Sequence, residues 1–484
     1  MIDAIALGSL DLVIILAYLL LCVVIGIYAG GRPGDAASYF RTSGDVPWWA
    51  ASFSIVATET SLLTVISVPA VAYGGNLGFL QLAIGYIIGR VLVSFFILPA
   101  YFKGFLETPY ALFEQRFGNG YRRLSSGVFL ITRLLADGVR LFAAAIPLKI
   151  ITGLDYPTAI FLIGALTLAY TYYGGLRSVI WIDVLQLLVY TLCAVFILWF
   201  AAGMLEDGTS SLALLQAENK LDFIQWPESW ADVFLTPYNV IGAVIGGLFL
   251  TMASHGSDHL IVQRLLACGS LTKARKALIV SGFLVFGQFA LFLATGMAMY
   301  LVYSGLSIAA LGLNSPDEIT LLFVVEELPA GATGLFIAAL FAAAMSTLSS
   351  SLSALSSSTF FDLFPKLSRR PDAMRISRYM MVIWTGVFIL FASLFTDTEN
   401  PVVGLGLGIA GFTYGALLGG FVMALYSRIT QPAAIGALLS CVTAMSFIIF
   451  YTPLAWPWYT LCGLLIFVIS AQLIRFSARL LHKQ

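Results

Sequence analysis

The 484-residue chain is 60% hydrophobic and only 10% charged, with a mean hydropathy of +0.94, against ~25% charged residues in an ordinary soluble domain. Apolar runs longer than ~18 residues, such as 12–30, leave no water-facing surface to build, which excludes a cytosolic enzyme, a nucleic-acid binder and a disordered hub. Twenty-five basic residues balance 25 acidic ones, so no polyanionic partner is implied, and the chain reads as an all-α polytopic membrane protein.

In chain order, apolar stretches fall at 6–29, 46–73, 77–102, 124–148, 157–174, 181–205, 236–256, 275–303, 331–361, 377–396, 401–426, 430–451 and 456–475, about thirteen candidate transmembrane helices. The start, Met1-Ile2-Asp3, lacks the positive region of a signal peptide, so the first run is expected to be a retained helix. Residues 318–328 are amphipathic enough to form a separate surface helix. With the N-terminus outside, about twenty of the 25 Lys and Arg residues fall in cytoplasmic segments, among them Arg32, Arg41, Lys103, Arg122, Arg264, Arg378, Arg428 and Lys483. The external segments keep Lys149 and Lys220 and are otherwise acidic, with Glu206, Asp207, Glu218, Asp222, Glu228 and Asp232. One miscounted span would scramble that bias, so the positive-inside rule supports thirteen helices, N-terminus out and C-terminus cytoplasmic.

The longest loops, about 206–235 and 304–330, are external, and Trp226, Pro227 and Trp230 suggest short interfacial helices there. No G-x-x-x-x-G-K-[ST] loop occurs and no soluble domain interrupts the pattern, so ATP does not drive this chain and an ion gradient or the solute itself must. Cys22, Cys193, Cys268, Cys441 and Cys462 are scattered with no C-x-x-C pair, suggesting neither disulfides nor a thiolate metal site. His255 and His259 stand four apart but make no H-E-x-x-H, and His482 is alone, which counts against an integral-membrane enzyme.

A charge at bilayer depth is costly unless it faces a cavity or a partner. Glu59, Arg133, Asp137, Arg140 and Asp183 are such charges, and Arg90 has a stem long enough to snorkel. The second helix centres on Thr58-Glu59-Thr60-Ser61, with Thr64 a turn later and Pro69 beyond. That β-branched polar stretch favours local unwinding, which would free carbonyls for a cation; otherwise it is a continuous helix whose hydroxyls bond back to carbonyls. In the ninth helix Ser346, Ser349, Ser350, Ser353 and Ser357 form one hydroxyl stripe at three- and four-residue spacing. The stripe is either a close-packing surface or a ladder of neutral oxygen ligands suited to Na⁺. Asp183, about two turns into the sixth helix, is either a structural carboxylate or the charge that completes a cation site facing the serines. Gly246-Gly247 and Ser254-His255-Gly256-Ser257-Asp258 interrupt the seventh helix. Two broken helices would then open two five-helix halves of opposite orientation, 46–205 and 236–426, flanked by an extra helix and linker (1–45), an external loop (206–235) and two C-terminal helices with a cytoplasmic tail (427–484). That is the inverted-repeat arrangement of many secondary transporters.

Taken together, VATETSLLTVISVPAVAYG from Val56, GGLRSVIWIDVLQ from Gly174, SDHLIVQR from Ser257 and AAAMSTLSSSLSALSSSTFFDLF from Ala342 resemble the sodium/solute symporter family over about residues 10–450. In look the chain is nearest to the bacterial sodium-coupled sialic acid symporters. The resemblance implies a five-plus-five inverted-repeat (LeuT-like) fold with a solute site midway across the membrane. It implies a sodium site on the carbonyls of Ala57, Thr60 and Ala343 and the hydroxyls of Ser346 and Thr347. Some members hold a second sodium, and Asp183, Ser346, Ser349 and Ser350 match that pattern, so two sodium ions per cycle are expected. On the substrate side Thr58, Glu59, Ser61, Thr64, Phe79 and Arg140 are the candidates. Ser61 and Thr64 match hydroxyls that hold a carboxylate in sialic acid symporters, and Phe79 matches a pocket aromatic. Glu59 replaces a neutral residue, whereas proline-type symporters carry an Asp there; it would meet an amine or the sodium, or pair with Arg140. The arginine of sialic acid symporters has no counterpart in register, Arg133 lying three residues before and Arg140 four after its position. These departures point away from sialic acid and toward a zwitterionic or amino-bearing solute.

The expected function is a sodium-coupled symporter in the cell membrane that imports a small polar organic solute (amino acid-like, carboxylate or sugar acid) by alternating access. The alternatives are proton-coupled uptake through Glu59 or Asp183 and a channel- or sensor-like relative. Na⁺ is the co-transported ion. The expectation includes no organic cofactor, no nucleic acid and no obligate protein partner; the partners are solute, sodium and the lipid bilayer, and the protein is expected to work as a monomer.

Overall fold

The structure is a computed structural model that describes residues 7–481 except 32, 104, 105, 107, 206, 207, 395–409 and 428. Arg32, Glu206, Asp207, Arg428, His482, Lys483 and residues 401–409 of the predicted 401–426 helix lie outside the described residues. Helices account for the architecture, with no strand among the described residues. The main ones are α1 (Ser9–Gly30), α2 (Trp48–Glu59), α3 (Leu62–Gly74), α4 (Leu80–Leu92), α5 (Asn119–Thr152), α6 (Tyr156–Gly203), α7 (Val240–Gly256), α8 (His259–Leu266), α9 (Leu271–Val302), α10 (Ala332–Ser358), α11 (Ala373–Leu394), α12 (Tyr414–Tyr426), α13 (Gln431–Tyr451) and α14 (Tyr459–Leu481).

Nine helices among the described residues are long and apolar enough to cross a bilayer, or ten when the bent pair α2–α3 counts as one span. The predicted thirteen differ from this for physical reasons. The 48 residues of α6 cover two predicted spans, 157–174 and 181–205, and Gly175 at φ 58°, ψ −144° breaks the run between them. At 34 residues α5 has the length to cross, but Arg133, Asp137 and Arg140 lower its apolarity. Residues 318–328 do form a separate short helix, Glu318–Glu326, but not a surface one, because Ile319–Val324 are buried. The segment expected to be an external loop carries short helices at Gly208–Ala217 and Trp230–Leu235. Between them Lys220 donates to the Tyr73 carbonyl (2.6 Å) and lies 4.1 Å from the Tyr300 ring, pinning the loop over the C-terminal end of α3. Burial lowers the Lys220 amine below the ordinary lysine range, against the opposing pull of Glu218.

The core is organised around α10, buried without interruption from Phe336 to Ser358. Its Ala and Ser side chains are small enough to let α6, α1 and α5 pack close on it. Close approach also explains glycines where α4 crosses α7: a Cβ on Gly85 would sit 2.3 Å from the Val244 carbonyl, and one on Gly247 would sit 2.5 Å from that of Leu82. The peripheral helices α1, α11 and α14 expose most of their apolar surface, as lipid-facing helices do.

An unforeseen carboxylate ties α1 to this core. Asp11 is buried, and its Oδ1 accepts from the backbone N–H of Gly331 (2.8 Å) and Gly334 (2.7 Å) at the N-terminus of α10. It satisfies donors that have no intrahelical partner and complements the helix dipole. Replacing Asp11 with Ala is expected to remove ~1–2 kcal/mol of stability and Asn to remove less, read as the thermal unfolding midpoint of the detergent-purified protein.

Candidate functional site

The second predicted span is broken, and the break builds the site. Thr60 leaves helical geometry (φ −81°, ψ 99°) and the chain turns by 69° before α3 begins at Leu62. Thr60 N–H still bonds to the Val56 carbonyl (2.9 Å), and on the far side Ser61 O receives Thr64 N–H (2.9 Å). Among the described residues no backbone N–H crosses the break to the carbonyls of residues 57–60. The unwinding reading therefore holds over the continuous helix.

One of those freed oxygens, the Ala57 carbonyl, faces α10. Ser346 Oγ is 3.0 Å from the Ala57 carbonyl and 3.0 Å from that of Ala343, and Thr347 Oγ1 is 3.3 Å from the latter. Four of the five predicted sodium ligands thus converge across the α2–α10 contact, and Thr60, the fifth, is the break residue itself. Its side chain donates to Gln288 Oε1 on α9 (2.6 Å), which anchors the turn.

The second predicted cluster is arranged differently from the expected ladder. Asp183 Oδ2 accepts from Ser54 (2.5 Å) and from Arg264 Nη2 (2.9 Å), and the same guanidinium donates to Ser350 Oγ (2.5 Å). Arg264, assigned by charge bias to the cytoplasmic side, is instead fully buried. It is held inside because Asp183 is there to pair with it. Ser346 faces the first cluster, Ser349 Oγ donates to the Ser346 carbonyl (3.1 Å), and Asp183 Oδ1 has no hydrogen-bond partner among the described residues.

Beside the break lies a cavity of about 130 Å³, and Thr58, Glu59, Ser61, Thr64, Phe79 and Arg140, the six candidate solute contacts, all line it. The Thr58 hydroxyl is already engaged by the Ser54 carbonyl (2.7 Å) and Ser350 Oγ (3.0 Å). Phe79 packs edge-on against Phe289 (5.1 Å), closing one wall.

Electrostatics distinguish the three arginines. Glu59 pairs with Arg90, not with Arg140. Arg90 does not snorkel; it is fully buried, with His255 Nε2 3.0 Å from its guanidinium and Ser254 Oγ 2.8 Å from His255 Nδ1. His255 thereby belongs to a hydrogen-bond network, and no metal-holding cluster of His, Cys, Asp and Glu exists among the described residues. Arg133 is committed to Asp258, which caps α8 at the second helix break by accepting Leu260 N–H (2.9 Å), and to the Tyr414 hydroxyl (2.5 Å). Among the described residues Arg140 has one side-chain partner, Asp137 (2.8 Å), and its side chain is 20% exposed. Sequence reading missed Tyr86, Phe289 and Tyr414, which line the cavity; apolar or aromatic residues in apolar helices carry no signal that separates wall from lipid face.

Two broken helices, a freed oxygen cluster and a cavity beside the break fit an ion-coupled transporter. The chain belongs to the sodium:solute symporter family, whose model matches residues 39–443. It is 29% identical to the sodium/sialic acid symporter SiaT of Proteus mirabilis, covering 91% of this chain and 89% of that one. It is 27% identical to the human sodium/iodide cotransporter over 87% of this chain and 66% of that one. Its structure matches a substrate-bound, outward-open Na⁺-coupled sialic acid symporter at a TM-score of 0.85 with 27% identity, covering 96% and 97% of the two chains. It shares the fold of Mhp1, a nucleobase-cation-symport-1 family transporter, at a TM-score of 0.53 and 15% identity, covering 93% and 95% of the two chains. The protein is a multi-pass, sodium-coupled symporter and not an enzyme.

Proposed function

We propose that this symporter imports a small carboxylate-bearing solute that also carries an amino or hydroxyl donor, one sodium binding at the α2 break. The observation that carries the reading is Arg140, the cavity arginine with guanidinium capacity left open. A carboxylate meeting Arg140 would sit near the Ser61 and Thr64 hydroxyls, at the N-terminus of α3, where the helix dipole favours negative charge. Glu59, held by Arg90 and His255 and 20% exposed, offers an acceptor to the solute's donor end. The relatives named for sialic acid support the carboxylate; Glu59 argues for a donor group beside it.

Sodium is assigned to the carbonyls of Ala57, Thr60 and Ala343 and the hydroxyls of Ser346 and Thr347. By bracing α2 against α10 it would favour the same outward state that the solute favours, as coupling requires. A second sodium at Asp183, Ser346, Ser349 and Ser350 is a further reading, favoured by the unpartnered Asp183 Oδ1. Arg264 shares that carboxylate, so this ion would bind more weakly than the first. The proposal includes thirteen crossings in a cell membrane, halves at 46–205 and 236–426, N-terminus out, C-terminus in, and action without an obligate protein partner.

Proteoliposome uptake of proline, lactate, pyruvate and N-acetylneuraminate is the test. At constant pH an inward sodium gradient is expected to drive one or more of them; uptake driven by a pH gradient with sodium dispensable would overturn the reading. Arg140→Gln removes a charge-assisted contact of ~1.5–3 kcal/mol, so the half-saturating solute concentration is expected to rise ~10–100-fold.

A further inference from the structure

We infer that Asp137 carries the charge through which sodium and solute couple, an inference that rests on the assignments above of sodium to the helix break and a carboxylate to Arg140. Arg133, Asp137 and Arg140 occupy one face of α5, at i, i+4 and i+7. Asp137 has a fully buried side chain. Its Oδ1 accepts from Arg140 (2.8 Å) and, at 3.5 Å, from Arg133; its Oδ2 accepts from Ser351. Ser351 stands one turn beyond Thr347 on α10, so the carboxylate is joined to the helix that carries the sodium hydroxyls.

The position of Arg140 is what makes this a coupling device. A second small cavity, about 10 Å³, is lined by Ser61, Leu62, Asp137, Arg140 and Thr347, so it lies between the helix break, α5 and α10. Arg140 lines both this cavity and the larger one. Arg133 is engaged by Asp258 and the Tyr414 hydroxyl, which leaves Arg140 as the main counter-charge of Asp137.

The consequence is electrostatic and reciprocal. A solute carboxylate on Arg140 draws on the positive charge that otherwise offsets Asp137, leaving an under-compensated carboxylate beside Thr347, where sodium gains. Sodium in turn offsets Asp137 and frees Arg140 for the solute. Low dielectric strengthens both effects, and each ligand must improve the other's binding by the same factor. Asp137 is a positioning residue here, because it acts on the solute through Arg140.

Sodium alone is a sufficient probe, since removing the Arg140 charge imitates what the solute carboxylate does. Radiolabelled sodium binding to the purified full chain, without solute, is expected to tighten ~10-fold in Arg140→Gln and to stay within ~3-fold of the starting protein in Arg140→Lys. Asp137→Asn is expected to weaken sodium ~10-fold, and the gain from Arg140→Gln should vanish in the double variant. If Asp137 were only a structural clasp, Arg140→Gln would weaken sodium or leave it unchanged, and that result overturns the inference. Should Asp137→Asn not fold, the comparison of Arg140→Gln with Arg140→Lys decides alone. Failure of the underlying assignments looks different: Ser346→Ala with Thr347→Ala would keep sodium binding, or Arg140→Gln would keep solute affinity.

Discussion

Protein carrying Ser346→Ala together with Thr347→Ala is expected to need at least ~100-fold more sodium for half-maximal uptake. Both hydroxyls are fully or almost fully buried at the α2–α10 contact, where water cannot replace a lost ligand. Each oxygen that contacts a cation contributes ~1.5–3 kcal/mol, by analogy with hydrogen bonds to charged groups, so two losses exceed ~3 kcal/mol, or about two decades in affinity. Because sodium braces the break, solute affinity should fall in parallel at fixed sodium and recover as sodium is raised. Sodium titrations of proteoliposome uptake measure both. An unshifted sodium dependence would remove these hydroxyls from the site.

Arg264→Ala is expected to be the most destabilising single change, at ~3–5 kcal/mol. Its guanidinium and the Asp183 carboxylate are both fully buried. The arginine also donates to Ser54 Oγ (2.7 Å), Ser350 Oγ (2.5 Å) and the Leu260 carbonyl (2.5 Å), so it joins α2, α6, α8 and α10 at one point. Truncation leaves an uncompensated carboxylate and several unmet hydrogen-bonding groups in the core. Pairing Arg264→Gln with Asp183→Asn removes both charges, and it should restore much of the lost stability because no lone ion is left. Thermal unfolding in detergent reads the effect; a single variant as stable as the starting protein would show that the pair is solvated. Sodium titration of the paired Arg264→Gln, Asp183→Asn protein separately tests the second ion: a lower Hill coefficient in this charge-balanced variant would assign Asp183 to sodium.

Much of the site was legible in residue chemistry. Thr58-Glu59-Thr60-Ser61 announced the break because β-branched and hydroxyl side chains compete with helical hydrogen bonds, and the chain does bend there. The Ser346 and Thr347 positions followed from the family motif and lie against the break. Pairings of charges were far less legible. Glu59 could have met Arg140, yet it meets Arg90; Arg264 looked cytoplasmic, yet it is buried on Asp183. Sequence separations of 31 and 81 residues hold no information about which partner an ion reaches, whereas burying it makes that choice decisive. Asp11 escaped notice for the same reason, since its partners are backbone groups about 320 residues away.

Composition by itself determined that this chain is a helical membrane protein, because a bilayer enforces apolar spans whose backbone bonds are satisfied within each helix. Motif chemistry determined where a helix breaks. Only the tertiary structure decided which arginine lines the cavity beside the break with capacity to spare, and that Asp137 lies between that arginine and α10. The physical reason is that a buried charge is defined by its neighbours in space, and helices crossing in a membrane bring together residues that no local pattern links.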